Sequence, residues 1–414
     1  MKYSSLINIV TLIVASNSCQ GRSTSDRRLR QLSTGSENSS TIYNFLAADP
    51  EQYSTEDNEV GTINWVRGSA HAPGSVEWIG VDAIGEGTTP GGKLNLGMFN
   101  MTQLGEVRTS HWHPNANELS YIISGKCRVT VTSVAHKNLN GISVPTVEQP
   151  HRPTETFLLG PGDAFYAPVG FSHHFENVDG SEPLVGIAIF NTDNLESFDM
   201  PQVMKHIDAD VLSRTLDIPV DMVEKWYTGP RTVLDAPTPE WNSDSLANAE
   251  SGPSTMIDYL VSGIDQNLRE APRSDTNGKV STGVVDANDF PILQGMSIAY
   301  TEIAPGAVLE PYWTDNADEL IYVLEGIDVH VGKADMRGTR SGTWDVETGY
   351  LVLNEVGVTV YIENRGTEPV KLLRIFNYEL PTLTTLHDSY VAVPVDVAAS
   401  MLHVDGKDTG LAQS

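Results

Sequence analysis

Apolar and polar residues alternate in short runs along most of this chain. Residues 97–103, 119–124, 127–133, 156–159, 164–167 and 184–190 are such runs, bounded by Gly, Pro or Asn. A period of two predicts strands. Between Asp199 and Trp226 the period changes. Met200, Val203, Met204, Ile207, Val211, Leu212 and Leu216 recur at roughly helical spacing until Pro219 breaks the pattern. One or two helices are predicted there, and a shorter one near 394–402. The expected class is all-β with a few flanking helices.

The strand pattern occurs twice. The run from His111 to Tyr121 (HWHPNANELSY) returns as Tyr312 to Tyr322 (YWTDNADELIY). Gly125, Gly162, Gly170 and Asn177 return as Gly326, Gly349, Gly357 and Asn364, and Ile189-Phe190-Asn191 returns as Ile375-Phe376-Asn377. At roughly 150 residues per domain, a chain of 414 residues has room for two domains. Two similar domains in tandem are the economical reading. The expected layout is 61–228 for the first and 251–414 for the second, joined by a linker at 229–250 that contains Pro230, Pro237 and Pro239.

The N-terminus reads differently. In residues 1–21, Lys2 precedes the apolar stretch Leu6–Ala15, and Ser16, Ser18 and Gly21 follow it. This is the layout of a secretory signal. The apolar stretch is too short to cross a bilayer, which takes about 20 residues. The expectation is a secreted, extracellular protein with no membrane attachment after signal removal. Residues 22–60 are rich in Ser, Thr, Asp and Asn and lack a period, which predicts a flexible leader. Arg27-Arg28-Leu29-Arg30 within it reads as a processing or targeting site, or as solvated linker charge. Asn38 and Asn100 each open an N-glycosylation sequon. With Cys19 lost near the cleavage point, Cys127 is the remaining thiol, so no intrachain disulfide is expected. Its place in an alternating strand predicts a buried structural cysteine.

Composition narrows the partners. A hydrophobic fraction of 40% supports packed cores. The 54 acidic and 26 basic residues leave a formal net charge of −28, which argues against nucleic acid or anionic lipid as a partner. An anionic substrate would need a local cation.

The first copy supplies candidate chemistry. Gly105, His111, His113, Glu118 and Gly125 stand as G-x5-H-x-H-x4-E-x6-G, and Gly162, Pro168, Gly170, His173 and Asn177 as G-x5-P-x-G-x2-H-x3-N. H-x-H in a strand places both imidazoles on one face. Glu118 enters on the next strand and His173 on a strand across the sheet pair. Three His and one carboxylate make a divalent-metal site, and the ligand types alone leave manganese, iron, zinc and copper open. His174 faces away from His173. In the second copy His111, His113 and His173 become Tyr312, Thr314 and Val360, Pro168 becomes Glu355, and Glu319 alone of the four survives. One carboxylate is no transition-metal site, so this copy is expected to be degenerate and metal-free.

Both motifs are complete signatures of the cupin superfamily, and the chain resembles a bicupin. That resemblance implies two tandem jelly-roll β-barrels. The stretch Arg108–Val131, with Gly162–Asn177 and the helical tail, is similar to the bicupin oxalate decarboxylases, which are related to germins. The resemblance implies one manganese ion per chain on His111, His113, Glu118 and His173. It also implies oxalate as substrate, formate and CO2 as products, dioxygen as redox partner, and a homo-oligomer. Arg108 would clamp and polarise the substrate carboxylate, since its guanidinium is a planar fork. A lid glutamate manages the proton in that family. Here the lid position reads Asn191 to Phe198, and Glu196 is the nearby glutamate. The family's lid sequence is absent, so oxalate oxidase or another germin-like metal oxidoreductase stays open as an activity. So does a non-enzymatic binding or storage role.

Overall fold

The computed structural model describes residues 94–132, 155–192, 195–226, 279–334 and 341–410, most of 259–270, and the strands Ile42–Asn44, Tyr53–Asp57, Gly61–Val66 and Val233–Leu234. The expected signal 1–21, the Arg27–Arg30 string, the Asn38 sequon and most of the expected linker 229–250 lie outside these residues.

The predicted strands form. Asn95–Met101, Glu118–Ser124, Cys127–Thr132, Glu155–Leu159, Ala164–Ala167 and Leu184–Phe190 carry the alternating runs. Every pairing between the described strands is antiparallel. In the first barrel one sheet runs in the order 260–261, 164–167, 118–124, 184–190, 95–101, 61–66, 53–57. It faces a sheet ordered 198–199, 107–112, 172–177, 127–132, 155–159. The second barrel repeats this with 350–354, 319–325, 370–376 and 297–303 facing 341–346, 329–334, 359–364 and 308–314. The predicted helices are Met200–Lys205, Ala209–Leu216 and Val220–Val223 after the first barrel, and Leu386–Val391 and Val395–Leu402 after the second. No helix among the described residues is long and apolar enough to cross a membrane.

Period two decides what each strand buries. On Glu118–Ser124, Ile122 points into the first barrel with Phe99, Val129, Phe165 and Phe175. Leu119 and Tyr121 point the other way, into a core shared with Ile298, Tyr300, Leu320 and Tyr322 of the second barrel. The sheet is therefore buried on both faces, which is why Leu119 and Tyr121 on one side and Ile122 on the other are all buried along one strand. Gly125 closes the turn after this strand at φ 77. A Cβ there would lie 2.7 Å from the Leu184 backbone, so the motif glycine is required twice over. Cys127 is buried, as expected, and burial pushes its thiol well above the ordinary range.

The domain edges differ from the expected ones. Within the expected leader, Ile42–Asn44 pairs with Tyr350–Val352 at the edge of the second barrel. Tyr53–Asp57 pairs with Gly61–Val66 in the first. Beyond the linker, Leu260–Val261 pairs with Ala164–Phe165, and Tyr259 is fully buried in the first barrel's core. The two segments cross over, each covering an open sheet edge of the other barrel.

Candidate metal centre

The strand Val107–Trp112 delivers the site. It pairs His111 with His173 and Arg108 with Phe175, a register that takes one extra residue on the Val107–Trp112 side. This bulge changes the geometry. Three residues apart, Arg108 and His111 would face opposite ways on a regular strand. With the bulge, Arg108 joins His111 on the inner face, and its side chain is buried.

His111, His113, Glu118 and His173 are each 3% exposed or less. One donor atom from each can be chosen so that all lie within 4.8 Å of one another. The three imidazoles are oriented by backbone carbonyls that accept from Nδ1. His111 bonds Thr109 O at 2.7 Å, His113 bonds Glu196 O at 2.9 Å and His173 bonds Phe171 O at 3.0 Å. With Nδ1 committed to a carbonyl, His113 and His173 present Nε2 to the carboxylate. Glu118 Oε2 sits 3.1 Å from His113 Nε2 and 2.7 Å from His173 Nε2. The two ring nitrogens and the carboxylate thus converge on one point, an arrangement that suits a shared cation. Ser120 Oγ donates to the other carboxylate oxygen at 2.7 Å and fixes its plane. Burial pushes the Glu118 carboxyl up, but His173 and the His113 and His173 hydrogen bonds outweigh it and hold it well below its usual range. Burial, then the nearby Arg108 and the other two imidazoles, hold His111 well below its ordinary value. A buried pocket of three imidazoles and one carboxylate fits a divalent metal.

Arg108 reaches the cluster but is not alone there. Its Nη1 donates to Asp199 Oδ1 and, at 3.1 Å, to Thr109 Oγ1, and Nη2 lies 3.4 Å from Ser197 Oγ. Thr109 Oγ1 also donates to Asp199 at 2.6 Å. Asp199 pairs in register with His111 and precedes the first helix. Glu196 occupies the same segment. Its backbone carbonyl anchors His113 and its N–H donates to Asn115 Oδ1 at 3.1 Å, while its side chain is exposed. Asp199 and Thr109 carry no signal in the sequence, because their partnership with Arg108 follows from the bulge and from chain closure across about ninety residues.

The second barrel keeps the shell and fills it differently. Tyr312, Thr314, Glu319 and Val360 are buried at the four ligand positions. The single Tyr312 O–H is shared between the two Glu319 oxygens, at 3.0 and 2.9 Å, and Asn354 Nδ2 donates at 3.2 Å. Arg374 Nε donates to Glu319 Oε1 at 2.5 Å. Nearby, Lys333 and Glu355, which replaces Pro168, form a second buried ion pair at 2.5 Å.

Comparison with known proteins gives the family and the fold. The cupin family profile matches residues 87–224 and 266–410. The chain is 23% identical over 310 residues to a probable oxalate decarboxylase of Arthroderma benhamiae, covering 72% of this chain and 69% of that protein. It is 32% identical over 121 residues to an oxalate decarboxylase of Bacillus subtilis, covering 29% and 27%. It is 28% identical over 159 residues to a germin-like protein of Arabidopsis thaliana, covering 37% and 70%. The fold superimposes on the Lactobacillus farciminis oxalate decarboxylase–formate complex with a TM-score of 0.68 at 16% identity, over 92% of this chain and 98% of that one.

Proposed function

This chain belongs to the cupin family, with two cupin domains in tandem, and from that premise we propose that its first barrel is a manganese-dependent oxalate decarboxylase, converting oxalate to formate and CO2. The observation that carries the reading is the buried set His111, His113, Glu118 and His173 with Arg108 turned onto the same face. The curated relatives named as oxalate decarboxylases support the substrate. The donor set suits manganese, and it also accepts iron, zinc or copper.

His111, His113, Glu118 and His173 would hold the ion, which supplies Lewis-acid and redox chemistry when bound. The chain's own residues do the rest. The three backbone carbonyls keep each imidazole in one tautomer, so the site is set before substrate arrives. Arg108 offers a guanidinium to a substrate carboxylate in a pocket where burial strengthens the contact. Asp199 and Thr109 hold that guanidinium in place. Glu196 supplies the proton for the nascent formyl carbon by swinging in from the covering segment. Its exposed side chain favours a second reading, oxalate oxidase or a germin-like metal oxidoreductase, in which no such proton is needed.

We also propose secretion, which rests on residues 1–21, and a homo-oligomer. Met222, Leu386 and Met401 on the flanking helices are more than half exposed, and such apolar faces suit burial against a second copy. The test of the function is purified, manganese-loaded protein given oxalate. Formate and CO2 in equal amounts support the decarboxylase, and hydrogen peroxide without formate supports the oxidase. No consumption of oxalate rejects both.

A further inference from the structure

The carboxylate of Glu319 is the one metal-ligand position that the second barrel retains, and it is fully buried. A buried carboxylate needs a counter-charge. Arg374 provides it from the strand Val370–Phe376. Phe376 and Phe190 hold matching register positions, opposite Glu319 and Glu118 respectively. Two residues earlier on each strand stand Arg374 and Ala188. The first barrel thus has a methyl group where the second has a guanidinium. That guanidinium is 3% exposed, donates to Glu319 and lies over the Tyr312 ring at 4.7 Å and the Phe376 ring at 5.4 Å.

We propose that Arg374 is a cation built into the second barrel in place of a metal ion, and that it, rather than the missing histidines alone, keeps this barrel from loading a divalent metal. Three features carry this. The guanidinium sits on the ligand carboxylate itself. Tyr312, Asn354 and Arg374 all donate to Glu319, the single Tyr312 O–H being shared between its two oxygens, so both carboxylate oxygens are already occupied by protein donors. A dication entering beside a buried guanidinium would meet a like charge in a pocket of low polarisability. Burial opposes the charged form of Arg374, yet Glu319 outweighs it, so the cation stays. Burial also pushes the Tyr312 hydroxyl well above its ordinary value, in keeping with its place as a donor to Glu319. The second barrel is thereby a closed support for the first, insensitive to metal supply.

The test restores the ligands with and without the cation. One variant carries Tyr312→His, Thr314→His and Val360→His. A second adds Arg374→Ala, the residue type at 188. Each full-length protein is titrated with cobalt(II), and bound metal per chain is read by elemental analysis and by visible absorption. The expected result is no gain for the triple variant and a gain of about one ion per chain for the quadruple variant. Thermal unfolding confirms that both are folded. If the quadruple variant does not fold, Arg374→Gln on the triple background replaces it, keeping an amide donor without charge. A gain of one ion in the triple variant overturns the proposal. So does a folded charge-free variant that gains none. The readout is a difference between variants, so it stands whatever the first barrel catalyses.

Discussion

Replacing Arg108 with Lys isolates what its guanidinium does. Its two terminal nitrogens serve different partners, among them Asp199 and Thr109 at Nη1 and Ser197 at Nη2. Lysine keeps the charge on a single nitrogen. It can hold Asp199 or reach toward the ligand cluster, but it cannot span both. If Arg108 clamps a substrate carboxylate, the change removes a charge-assisted hydrogen bond of about 1.5–3 kcal/mol. That corresponds to roughly 10- to 150-fold in kcat/KM. The ligand set is untouched, so bound metal stays at the wild-type level. Initial rates over a range of oxalate concentrations, normalised to bound metal, measure the effect. Asp199→Asn is the companion variant. It leaves the fork in place without its anchor, so KM should rise more than kcat falls. Wild-type turnover per metal in a metal-replete Arg108→Lys protein would refute the clamp. Arg108 and Asp199 would then be a structural ion pair.

Four further outcomes are expected. Elemental analysis of the wild-type protein should find about one transition metal per chain, and a value near two would contradict the reading of Tyr312, Thr314 and Val360. His111→Ala should remove most bound metal, since three ligands lose both affinity and geometry. Glu196→Gln should lower formate production by about 100-fold or more at constant metal content, and product analysis by NMR will show whether turnover diverts to hydrogen peroxide; formate at the wild-type rate would place the proton donor elsewhere. Gly125→Ala should destabilise the fold by more than about 1–2 kcal/mol, the cost of left-handed backbone alone, because its Cβ also meets the Leu184 backbone at 2.7 Å; a denaturant midpoint equal to wild type would contradict this.

Much of the site was legible in the sequence, for a physical reason. Strand alternation fixes which residues share a face, so His111 and His113 declare themselves as a pair, and the glycines mark the turns that bring Glu118 and His173 to them. The repeat was equally plain, because both barrels keep those turns. Arg108 was harder. Its spacing from His111 is right only on a bulged strand, and a bulge leaves no mark in the run of residues from 107 to 112. Asp199 and Arg374 were not legible at all. In sequence, Asp199 opens a helix and Arg374 is one charge in an apolar strand. Their partners lie 91 and 55 residues away, and only the closed barrels bring them together. The crossing segments were missed because strands of two or three residues are too short to show a period.

The account stands most directly on one comparison. Carbon-13 oxalate is given to manganese-loaded wild-type protein and to the same preparation of His173→Ala, and formate and CO2 are followed together by NMR. The account predicts equal formate and CO2 from the wild type, in proportion to bound metal, and neither product from His173→Ala. Formate from His173→Ala at the wild-type rate, or none from a wild-type protein carrying one metal per chain, would contradict it.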